Sequence, residues 1–143
     1  MIGLISCSAH KLNRAAPARE LYTSALFRKS LAYAEQQCSA IYVASALHGL
    51  VSLDQVIEPY DFTVRGMLRG ERQLWAGRIA RGLVERHGRE HYVILAGAEY
   101  ADPIARELDA FLGLPSPVLE PLRGMQIGER LAWLNAQTRK EAA

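Results

Sequence analysis

Apolar positions along the chain fall into short unbroken runs separated by longer periodic stretches. Ile2 to Cys7 is such a run, followed by the polar loop Ser8 to Ala16, which is the pattern of a strand buried in a parallel sheet. Pro17 is placed to open a first helical turn. Ser24 is placed to cap a helix from Ala25 to about Gln37 that turns Leu26, Phe27, Leu31 and Tyr33 or Ala34 inward. Ala40 to Ala44, AIYVA, predicts a second strand, left through the polar loop Ser45 to Leu50 and Gly49. Residues 51 to 70 carry no long period, and Glu58 to Asp61, EPYD, is a turn signal.

From Glu71 to about His87, Trp75, Ile79 and Leu83 with Ala76, Ala80 and Val84 make one apolar stripe, closed by Gly88. His91 to Leu95, HYVIL, predicts a third strand. It leads through Ala96 to Tyr100 into a helix with Asp102 as N-cap and Pro103 as first helical residue. A proline-flanked patch, Pro115 to Pro121, holds Val118 and Leu119 as a short fourth strand, and a last helix follows Gly128 to about Arg139. Strands alternating with helices predict one α/β domain over residues 1–143. Its sheet is mainly parallel and flanked by helices, with the strands near 2–7, 40–45 and 91–96 as neighbours.

Composition narrows the class. A chain of 143 residues that is 50% hydrophobic and 22% charged buries one core and fits neither a disordered nor a fibrous protein. Cys7 and Cys38 make neither a disulfide framework nor a zinc spacing, which points to a reducing, cytoplasmic setting. The apolar start MIGLISC is too short for a signal peptide or a membrane span, so no membrane partner is expected.

The net charge of +2 is small but unevenly spread: residues 11–89 hold twelve Lys and Arg against seven acids, and residues 90–143 hold five against eight. Arg65, Arg69, Arg72, Arg78 and Arg81, continued by Arg86 and Arg89, form a run suited either to phosphates or to a solvated helix face.

In an open α/β sheet, ligands gather beyond the carboxyl ends of the strands. Loops there supply Ser6, Cys7, Ser8, His10 and Lys11; then Ser45, His48 and Gly49; then Gly97, Glu99 and Tyr100. The irregular segment adds Glu58, Tyr60 and Asp61. A cation at Lys11 beside Ser6 and Ser8 suits a phosphate, as does Arg19, although either side chain can simply lie along the surface. Glu58, Glu99 and Asp61 are candidate acids or bases. Tyr60 and Tyr100 suit either base stacking or core packing. Cys7 reads as a small buried residue. His10, His87 and His91 have no metal spacing, and no phosphate loop or dinucleotide fingerprint is present. No metal or cofactor is implied.

Four blocks carry a resemblance: ISCSAHKL (Ile5 to Leu12), ELYTSALF (Glu20 to Phe27), SALHGLVSLDQVIEPYDF (Ser45 to Phe62) and LAGAEY (Leu95 to Tyr100). In order and strand context they resemble the YaaA-like peroxide-stress family and a small bacterial and phage domain of unassigned function, over roughly residues 2–110. By matching position the resemblance makes Lys11, Gly49, Pro59, Tyr60, Glu99 and Tyr100 site residues, and its second block adds Tyr22 and Ser24. His48 departs from the family's tyrosine. The family's helix-hairpin-helix insertion is absent, since only ten residues separate Lys11 from Tyr22. The resemblance implies a DNA-associated role in limiting oxidative damage. Two readings follow: a protein that binds DNA, a nucleobase or a nucleotide at a strand-end pocket, or an N-glycosidase or base-exchange enzyme acting on modified bases.

Overall fold

The computed structural model describes residues 1–113 and 117–142. Its centre is the apolar N-terminal run, strand β1 (Ile2–Ser6), with parallel neighbours on both sides. One is β3 (Ala40–Ser45), in register Ile2 to Ala40; the other is β6 (Tyr92–Leu95), in register Ile2 to Tyr92. The five-stranded sheet has the order β4-β3-β1-β6-β7, with β4 (Gly49–Ser52) antiparallel at one edge and β7 (Val118–Leu119) parallel at the other. A separate two-stranded pair joins β2 (Ala16–Pro17) to β5 (Val56–Ile57). The mainly parallel sheet and the three neighbouring strands are as the sequence predicts.

Five α-helices lie among the described residues: α1 (Ala18–Leu21), α2 (Ala25–Gln37), α3 (Arg69–His87), α4 (Ala98–Leu112) and α5 (Ile127–Ala142). Ser24 caps α2 as expected, its hydroxyl accepting from the Phe27 N–H at 3.2 Å. α2 lies close to β1 because Gly3 leaves room: a Cβ there would come within 3.0 Å of Cys38 Sγ and 3.5 Å of Ala34. The crossover through α2 runs from β1 to β3, and that through α4 runs from β6 to β7 in the opposite direction. Two right-handed crossovers in opposite directions put α2 and α4 on opposite faces. α5 packs on α2, and α3 packs on α4. Trp75, Ala76, Ile79, Ala80 and Leu83 of α3 are buried, and Gly88 ends the helix at φ 66°.

Three sequence expectations are corrected. Asp102 and Pro103 do not start α4; Gly97 precedes it and Pro103 lies inside. The buried stripe Ala101, Ile104, Ala105 and Leu108 begins ahead of the proline. The proline, so near the helix start, forfeits only the bond its missing N–H would have made to the Glu99 carbonyl. The polar loop Ser45 to Leu50 is in fact a hairpin, in which Leu50 and Val51 pair back onto Ala44 and Val43 and Gly49 takes φ 74°. Pro17 lies in β2, one residue ahead of α1, rather than opening the helix. Val118 and Leu119 do form the short strand expected of them. Pro115, at the start of that patch, lies outside the described residues. Among the described residues no helix is long and apolar enough to cross a membrane.

Candidate functional site

β1 connects toward β3 and β6 toward β7, so the sheet's topological switch point lies between β1 and β6, where ligands of open α/β sheets bind. A cavity of about 200 Å³ opens there. Its floor is Cys7, directly after β1, and its walls include Lys11, Phe62, Arg65, Glu99 and Tyr100. A 50 Å³ hollow adjoins it, sharing Cys7 and Ser8 and reaching Ser6 and Ser24.

Each wall is fixed by local structure. Lys11 is pinned by an antiparallel bridge to Tyr22, with Leu12 N–H donating to the Leu21 carbonyl at 2.9 Å and Thr23 N–H to the His10 carbonyl at 3.0 Å. This carries Lys11 Nζ to 4.4 Å from the Tyr60 ring centre and 5.7 Å from that of Tyr22, within cation–π range. Beneath it runs a chain of hydroxyls: Tyr22 to Tyr60 at 2.7 Å, and Tyr60 to Ser45 at 2.6 Å. Ser45 Oγ also accepts the His48 N–H at 3.0 Å, and its carbonyl accepts Trp75 Nε1 at 2.9 Å. Tyr22 and Ser45 are fully buried.

The Cys7 thiol donates to the Tyr100 hydroxyl and its sulfur accepts the Ala46 N–H, each at 3.5 Å. Tyr100 stands edge-on to Trp75 at 5.7 Å. At the rim, Arg65 Nε, on the single 3-10 turn Val64–Gly66, reaches both Glu99 oxygens at 3.0 and 2.9 Å.

Burial governs the electrostatics. It lowers the Lys11 ammonium below the ordinary lysine value, against smaller opposing effects of Cys7 and Asp61. It pushes Tyr22 up to about 12, and it also raises Tyr60 and Tyr100. All three phenols are therefore neutral donors around neutral pH. The exposed Arg65 is raised mainly by its bonds to Glu99.

Of the residues singled out from sequence, Ser8, Lys11, Asp61, Glu99 and Tyr100 come together at the cavity, and Ser45, Tyr22 and Tyr60 support it. Others stand elsewhere. Glu58 and Pro59 are exposed on the segment after β5 and line neither cavity. Gly49 makes the β3–β4 turn. Arg19 pairs with Asp54 at 3.0 Å and with Glu35 at 3.7 Å.

The arginine run is divided among different partners and hollows. Arg65 holds Glu99, while Arg72 Nη2 donates to the Val64 carbonyl at 3.0 Å and its Nε is buried with no partner among the described residues. Arg69 and Arg72 line one hollow between α3 and α4, Arg78 and Arg81 line another, and Arg86 folds back onto the Gly82 carbonyl. Phe62 is a wall that the sequence reading missed, and its signal was an aromatic directly after Tyr60-Asp61. Among the described residues no group of three or more His, Cys, Asp or Glu is placed to hold a metal ion.

No curated protein and no solved structure matches the chain. One family model does, over residues 2–136, and the chain therefore belongs to a family of unknown function, DUF6884.

Proposed function

We propose that the switch-point cavity binds a nucleobase, free or as part of a nucleotide or an unpaired strand of nucleic acid. The observation that carries this reading is Lys11 Nζ, held 4.4 Å over the Tyr60 ring, at a cavity that also presents Phe62, Tyr100, Asp61 and Glu99. A base offers a planar face to aromatic walls, amino groups to carboxylates and carbonyls to an ammonium. The cavity's 200 Å³ is below the roughly 300–1,000 Å³ of sites for drug-sized ligands, which favours a single ring system. Its charged walls are two cations, Lys11 and Arg65, against two carboxylates, Asp61 and Glu99. That balance favours a neutral base over a polyphosphate head.

The catalytic form of the reading is N-glycosidic release of the base, with Glu99 or Asp61 stabilising the sugar cation or activating water. It is favoured only by both carboxylates lining the same cavity.

The test is calorimetric titration with bases, nucleosides and short single-stranded oligonucleotides, beside an assay for released base. Lys11→Ala and Glu99→Gln are expected to weaken binding about tenfold, or ~1.4 kcal/mol, with melting temperatures near the parent's. Absence of binding for all three ligand classes at millimolar concentration overturns the reading. Binding without base release confines it to recognition.

A further inference from the structure

We infer that the outward face of α3 and α4 pairs with the same face of a second copy of this chain. Along α3 the outward stripe reads Gly70, Leu74, Gly77, Arg81, at the spacing i, i+4, i+7, i+11 of one helix face. Leu74 is 64% exposed, and Phe111 across from it on α4 is 45% exposed. Nothing inside the chain requires glycine at either position. A Cβ at Gly70 would meet nothing within 4 Å, and one at Gly77 would make an ordinary 3.7 Å contact with the Glu107 carboxylate. Gly70 is exposed and Gly77 half-buried, and a helical glycine costs up to ~1 kcal/mol against alanine. Two of them, one either side of an exposed leucine, let another backbone approach closely.

The charges decide what approaches. Two hollows of about 670 and 500 Å³ share Gln73 and Glu107 along this face. Arg69, Arg78 and Arg81 of α3 border them across from Asp102, Arg106 and Glu107 of α4, and none of these six makes an ion pair among the described residues. A nucleic-acid backbone, with one charge per ~1.7 Å of duplex, would meet the carboxylates as well as the arginines. A second copy related by a two-fold axis lying between the helices places α3 arginines against α4 carboxylates twice over, and Leu74 of each copy against Phe111 of the other.

The area sets the strength. Helices of 19 and 15 residues are ~28 and ~22 Å long, and side by side at an interaxial distance of ~10 Å they offer a face of about 500 Å². About 1,000 Å² buried in total is the lower limit of specific interfaces, so association in the micromolar range is expected.

The experiment is sedimentation equilibrium of the full chain from micromolar to sub-millimolar concentration. A monomer–dimer equilibrium is expected. Gly70→Leu/Gly77→Leu should weaken it at least about tenfold with no fall in melting temperature, which separates a blocked face from a damaged fold. Arg78→Glu/Arg81→Glu and Asp102→Lys/Glu107→Lys should each be monomeric, and an equimolar mixture of the two should dimerise again. A parent monomeric throughout overturns the inference, as does a dimer indifferent to these changes or a mixture that stays monomeric. Oligonucleotide binding by a monomeric parent that Arg78→Glu/Arg81→Glu abolishes assigns the face to nucleic acid instead.

Discussion

The first turn of α4 separates two regions built on opposite principles. Tyr100 points to the switch-point cavity, where nearly every polar group has a partner inside the chain: phenol to phenol, phenol to serine, thiol to phenol, indole to carbonyl. Two and six residues further along the chain, Asp102 and Arg106 join a face whose charges make no ion pair among the described residues. Buried hydroxyls must be satisfied internally, since an orphaned one costs ~1–3 kcal/mol, so the cavity is rigid before any ligand arrives. Exposed charges remain hydrated and carry no such requirement, so the outer face is free to be completed by another molecule. Stability should therefore depend on the first region and association on the second.

The largest expected effect is at Tyr22, whose ring is fully buried and packed 5.0 Å from Phe27. Tyr22→Ala should lower unfolding free energy by ~3–5 kcal/mol, the range for large aromatic truncations. Leu74→Ala, on the outer face, should change it by less than ~0.5 kcal/mol. Urea unfolding at concentrations too low for association compares them. Equal losses would break the contrast.

Next in size is the hydroxyl chain. Tyr60→Phe keeps the ring beneath Lys11 but removes the oxygen shared by Tyr22 and Ser45, for an expected loss of ~1–3 kcal/mol. With Tyr22→Phe as the second arm, a double-mutant cycle should give a coupling of ~0.5–3 kcal/mol. Strict additivity would mean that the two oxygens do not support each other.

The same chain sets an alkaline limit. Folding raises Tyr22 from 10.0 to about 12 and raises Tyr60 in the same direction, so the folded chain binds more protons than the unfolded one above pH 10. Stability from these phenols is complete below the unfolded value and is lost as pH climbs through the folded one. Lys11, lowered on folding, has the opposite sign: its contribution rises with pH up to the ordinary lysine value. Melting temperature should therefore fall between about pH 10 and pH 12, and Tyr22→Phe/Tyr60→Phe should flatten that fall. An unchanged profile in the double variant would assign the limit to other groups.

What the sequence discloses follows from the range of each interaction. β1, β3 and β6 are legible because a strand buried on both faces is apolar along its own length, and α2 because Ser24 caps within three residues. The hydroxyl chain is hidden, since its partners lie 15 and 38 residues apart and each tyrosine alone suits core or surface. The start of α4 was masked by Pro103, a local signal outweighed by a buried stripe that begins at Ala101. Glu58 drew notice by standing beside Pro59 and Tyr60, but the chain turns between them: Tyr60 goes inward and Glu58 out. The arginine run shows the same limit: nothing local reveals that Arg65 is taken by Glu99, 34 residues away, while Arg69, Arg78 and Arg81 line the hollows beside α4.

The smallest expected change in stability falls at Arg65, where the two regions meet. Its side chain is 76% exposed and that of Glu99 46%, and exposed pairs contribute little to stability, so Arg65→Ala should melt close to the parent. The pair nevertheless holds both Glu99 oxygens at once, fixing the direction of a carboxylate at the rim of the base cavity. Released, Glu99 gains rotamers that do not face a ligand, and base affinity should fall several-fold. Arg65→Lys keeps the charge but lacks the guanidinium Nε–H that both Glu99 oxygens accept, so it should bind like the alanine variant and melt like the parent. Calorimetric titration beside melting curves reads both quantities. Parental affinity in Arg65→Lys would show that charge alone suffices, and parental affinity in Arg65→Ala would remove the pair from the site.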